Sequence, residues 1–129
     1  MQKLFLAYFI WIFTCPTWAN SSECQIKDLE DTVWQEVCTY PNTSLSSAYQ
    51  TARQKYISEE GQFAQKTLPR RTKTDHLSID KDPIKITYVW KNKRTLWVTF
   101  DYDASSTSID WKLHRARHNL ILTRTVSPP

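Results

Sequence analysis

From Ile84 to Leu113 the apolar residues of each run recur at every second position, and that period dictates extended chain. Ile84, Ile86, Tyr88 and Trp90 alternate with Lys85, Thr87, Val89 and Lys91. Leu96, Val98, Phe100 and Tyr102 alternate with Thr95, Trp97, Thr99 and Asp101, and Ile109, Trp111 and Leu113 flank Asp110 and Lys112. Successive side chains of a strand point to opposite faces, so each run presents one apolar and one polar face. Asn92-Lys93, Asp103 to Ser106 and Arg115 to His118 supply turns. Asn119 to Val126 supplies a last strand whose mixed pattern leaves its register open. The apolar face of such a meander needs a cover.

The cover is expected ahead of Pro83, where the spacing changes. Ile26, Leu29, Val33 and Val37, with Trp34 beside them, recur at three and four residues, the stripe of one helix. Cys38 stands at its end, tethered to Cys24 at its start. Pro41 and Asn42 break the chain, and Asn42, Thr43 or Ser44 can cap a second helix. That helix carries Leu45, Ala48, Tyr49, Ala52, Tyr56 and Ile57, and Gly61 is placed to end it in a left-handed conformation. Phe63 and Leu68 pack locally, and Pro69 to Pro83 reads as a charged linker with room for a short strand at His76 to Ile79. The expected fold is therefore α+β: two N-terminal helices packed on one face of an antiparallel meander of about four strands, with one disulfide.

The N-terminus gives an address. Lys3 precedes an apolar run from Leu4 to Phe13, and Thr17-Trp18-Ala19 closes it with a small-x-small pattern. This is the pattern of a secretory signal peptide over residues 1–19, leaving a single α+β domain over 20–129. The run has ten residues, about half of the roughly twenty needed to cross a bilayer, so no retained membrane span is expected. The competing reading of Cys15 as a lipoprotein cysteine lacks the small residue that processing wants before it, since Phe13-Thr14 precede and Pro16 follows. Export places the mature chain in the periplasm or outside the cell. Cys24 and Cys38 are then the only cysteines left, and an oxidising compartment pairs them. Such a bridge over a loop of about fifteen residues constrains the unfolded chain by about 3 kcal/mol.

One glycine in 129 residues excludes much. A phosphate loop, a dinucleotide fingerprint and a nucleophile elbow each need several. No cofactor is implied. Charge is segregated: three basic and seven acidic residues lie between Asn20 and Gln65, but thirteen basic and six acidic from Lys66 onward. The basic half offers a surface for an anionic partner, or the two halves neutralise each other by packing together.

Strand parity carries the one site with geometry in it. If Leu96, Val98 and Phe100 face the helices, Trp97 stands on the other face with Lys91 and Lys112. Lys93, Arg94, Arg115 and Arg117 extend the basic character into the adjoining turns. A large aromatic among cations suits a contact anchor; it also suits plain cross-strand stabilisation. Basic residues around an aromatic imitate a single-strand nucleic-acid platform as well, but export argues against that partner. His114 and His118 have zinc-ligand spacing, yet span a turn rather than one helical face, so no metal is assigned. Glu59 and Glu60, neighbours about 100° apart on a helix, do not converge as a glycosidase pair would.

These features point to an exported, non-enzymatic binding protein that docks on another protein as an inhibitor, immunity factor or envelope partner. The alternatives are a small exported hydrolase using His76, His114 or His118, and a binder of anionic envelope polymers.

Overall fold

A computed structural model describes residues 23–29, 32–79 and 82–129. Residues 1–19, read above as a signal peptide, lie outside the described residues. The chain runs β1 (Glu23–Asp28), β2 (Trp34–Tyr40), α1 (Leu45–Lys55), a 3-10 turn (Glu60–Gln62), then β3 (Lys73–Ile79), β4 (Asp82–Asn92), β5 (Thr95–Tyr102), β6 (Thr107–Ala116) and β7 (Asn119–Ser127). All pairings are antiparallel, and the seven strands form one sheet in the order β1-β2-β7-β6-β5-β4-β3.

This overturns the expectation of two N-terminal helices on a four-stranded meander. The segment read as the first helix is the β1–β2 hairpin, and the segment read as a linker holds the edge strand β3. The reason is visible in burial. Trp34, Glu36, Cys38 and Tyr40 share one face of β2 at period two, with Cys38 and Tyr40 buried. Of the supposed helical stripe, Ile26 is 70% exposed and Leu29 48%. Val37, one residue from Cys38, falls on the opposite sheet face. The apolar spacing of three and four was coincidental. Cys24 and Cys38 oppose each other directly in the hairpin, with 4.0 Å between Cα atoms, and are bridged.

Among the described residues, one α-helix covers the sheet. Ser44 caps α1 by accepting a hydrogen bond from the Ser47 amide at 3.1 Å. Leu45, Ala48, Tyr49 and Ala52 are its buried face. They lie on the apolar side of the sheet, where Ile86, Tyr88, Leu96, Val98, Phe100, Trp111, Leu113, Leu120 and Leu122 are fully buried. Trp111 is the centre, its ring 4.9 Å from Phe100, 6.0 Å from Tyr56 and 6.3 Å from Tyr49. Burial of each such side chain is worth about 1.5–3 kcal/mol.

Gly61 does not end the helix in a left-handed conformation, since no glycine here has positive φ. It is required for space. A Cβ there would stand 2.4 Å from the Arg53 carbonyl oxygen and 2.7 Å from that of Tyr56. The backbone of the 3-10 turn thus lies against the end of α1, and this approach carries Glu60 into the core. Left-handed φ falls instead to Thr32, Asn42, Ser106 and Arg117.

Arg124 breaks the alternation of β7, pointing to the helix side between Leu122 and Val126 in strand phase. Its Nε donates to Glu60 Oε2 at 2.6 Å and its Nη2 to Glu60 Oε1 at 2.8 Å, while Trp111 Nε1 donates to Glu60 Oε2 at 2.7 Å. Arg124 Nη2 also reaches Glu59 Oε1 at 3.1 Å, and its guanidinium lies 4.3 Å from the Tyr56 ring. Both members of the pair are buried, Glu60 completely. Hydrogen bonds on every side are what make such burial tolerable.

Candidate binding face around Trp97

Among the described residues, no helix lies on the second face of the sheet. Parity turns Trp97 onto it from between the buried Leu96 and Val98, and its indole is 40% exposed. Val89 and Lys112 are its cross-strand neighbours. The Lys91 ammonium stands 4.5 Å from the ring centroid and that of Lys112 5.7 Å, close enough for two cation–π contacts. A groove of about 500 Å³ runs from this indole across the sheet past Asp110, Lys112, Thr123 and Gln35. Gln35 Nε2 donates to Thr125 Oγ1 at 3.1 Å, which fixes the far wall.

The remaining cations gather at one end of the strands rather than on this face. Lys93 and Arg94 form the β4–β5 turn, Arg117 the β6–β7 turn, and Arg115 has the parity of Leu113, on the helix side. The two ends are joined by a hydrogen bond from the Arg115 amide to the Arg94 carbonyl at 2.9 Å. Among the described residues, ion pairs engage Lys55, Lys73 and Arg124 only. Lys91, Lys93, Arg94, Lys112, Arg115 and Arg117 are left to solvent or a partner. At Arg117 the left-handed φ of 59° is a conformation that costs a non-glycine residue about 1–2 kcal/mol.

The histidines are not brought together. His76 is exposed on the edge strand β3, and His118 is exposed in the β6–β7 turn. His114 lies on β6, its Nδ1 hydrogen-bonded to Thr95 Oγ1 at 2.7 Å. Three strand spacings and six residues of strand separate His76 from His114, about 25 Å in all. Near Cys24 and Cys38, Glu36 completes a cluster of the metal-ligand type. Both sulfurs are committed to the disulfide, and Glu36 accepts from Tyr56 Oη at 2.6 Å.

Sequence reasoning missed the Glu60–Arg124–Trp111 network. Glu59 and Glu60 do converge, on a guanidinium from the last strand rather than on a substrate. An arginine in phase with Leu120 and Leu122 was the available signal. Among the described residues no helix is long and apolar enough to cross a membrane. Comparison with known protein families, curated proteins and solved structures finds no match to this chain.

Proposed function

We propose that this chain is an exported, non-enzymatic binding protein that docks through its helix-free sheet face on a partner in the cell envelope or outside the cell. The observation that carries the reading is Trp97, a large exposed indole with two lysine ammonium groups near its ring, on a face that no described helix covers. An exposed aromatic anchor with flexible cations around it is the composition of a contact site, because tryptophan supplies area at low entropic cost and the ammonium groups supply charge selectivity. The unpaired cations at the adjoining strand ends extend the same polarity. The hydrolase alternative has no comparable support, since His76 lies about 25 Å from His114 and His114 is hydrogen-bonded to Thr95.

The test is retention on envelopes isolated from the exporting cell. Wild type is expected to be retained, and Trp97→Ala and Lys112→Glu to wash off while staying folded, with a cooperative melting transition well above the assay temperature. Retention of both variants at the wild-type level excludes this face.

A further inference from the structure

The groove beside Trp97 holds free groups of opposite kinds. Asp110 and Lys112 project from the same face of β6, and neither forms an ion pair among the described residues. Thr99, Asp110, Thr125 and Gln35 make one row across β5, β6, β7 and β2, and Trp97, Lys112, Thr123 and Val37 make the next. Four strands at about 4.8 Å spacing give each row a length of about 14 Å. The strip thus offers one carboxylate, hydroxyls and an amide along one row, and an indole and an ammonium group along the other. A groove of about 500 Å³ lies within the range that encloses small organic ligands.

Accepting the helix-free face as the contact surface, we propose that its ligand is a linear acidic polysaccharide, whose sugar hydroxyls meet the Asp110 row and whose anionic substituents meet Lys91 and Lys112 beside Trp97. The C–H face of a sugar ring packs on the exposed indole, and the ring's hydroxyls donate to the Asp110 carboxylate. The centre of a protein interface is depleted of lysine and aspartate, and here both occupy it. Asp110 would also repel an evenly charged phosphate chain.

Asp110 makes the assignment testable by sign. The disulfide-bonded, ¹⁵N-labelled protein is titrated with oligogalacturonate, heparin-derived oligosaccharide, neutral maltooligosaccharide, polyglutamate and oligothymidylate. Saturable shifts of the Trp97 indole N–H and the Thr99, Asp110, Lys112 and Thr123 amides are expected with at least one acidic saccharide, and none with the other three. Asp110→Asn is expected to weaken that binding about ten-fold, the loss of one charged hydrogen bond, although it removes a negative charge. Plain attraction of a polyanion to a basic surface demands the opposite, tighter binding by Asp110→Asn. That result, equal binding of polyglutamate or oligothymidylate, or the absence of shifts with both acidic saccharides overturns the glycan assignment. The contact face itself stands or falls separately, on whether Trp97→Ala loses envelope retention.

Discussion

Glu60 has no solvent exposure and accepts three hydrogen bonds, two from Arg124 and one from Trp111. Charge at such a position is tolerable only while every partner is present. Arg124→Met is therefore expected to cost about 3–5 kcal/mol, and Arg124→Met with Glu60→Gln markedly less, because the second change removes the stranded carboxylate. Denaturant melts of the single and double variants measure the difference. Trp97 and Trp111 give a second comparison. Trp111→Ala removes a fully buried ring and should cost about 3–5 kcal/mol. Trp97→Ala loses two cation–π contacts on an exposed face, about 1 kcal/mol or less. Equal losses in urea titrations would mean that the far face is covered. Parity alone assigned Trp97 and Trp111 to opposite faces from the sequence, because period two leaves no other choice once Val98 is buried. Glu60 was illegible. Its burial depends on the close approach at Gly61 and on an arginine 64 residues away, neither of which local pattern reports.

At the scale of elements, the alternation from Ile84 onward marks β4 to β7, whereas the front of the chain misled. Two expectations there were mutually exclusive. A helix from Cys24 to Cys38 would hold its ends about 21 Å apart, while a disulfide needs Cα atoms within about 7 Å. Taken seriously, the cysteine pair alone demands a reversal midway, and the hairpin turns at that point: the Leu29 amide donates to the Val33 carbonyl at 2.8 Å. All six residues of β1 are exposed, and its one strand partner is β2. The bridge is thus the main covalent support of a strand that buries almost nothing. Cys24→Ser with Cys38→Ala should abolish amide exchange protection from Cys24 to Asp28 while leaving β4 to β7 protected. The chain-entropy value of about 3 kcal/mol is the upper bound on the global loss, since β1 can fray alone. Loss of protection throughout the sheet would assign β1 a larger role.

For the whole molecule, burial acts on the tyrosines together. Tyr40, Tyr49, Tyr56, Tyr88 and Tyr102 all have phenol pKa values raised, chiefly by burial, with Tyr102 at about 12. The unfolded chain ionises them near pH 10. Below that pH the native state keeps its full advantage; as pH rises through the native values the advantage is lost, since only the unfolded chain gives up its protons readily. A cooperative alkaline unfolding that begins near pH 10 is expected, with tyrosinate absorbance and circular dichroism changing together. Tyrosine ionisation well before unfolding would contradict it. The sheet order has a further result, in time rather than space. Trp34 to Tyr40 pairs with Leu120 to Val126, so a strand made early waits for β7, some eighty residues later. The same last strand delivers Arg124 to Glu60. A chain cut back before Asn119 has neither the neighbour of β2 nor the cation of its core, and it is expected to be protease-sensitive.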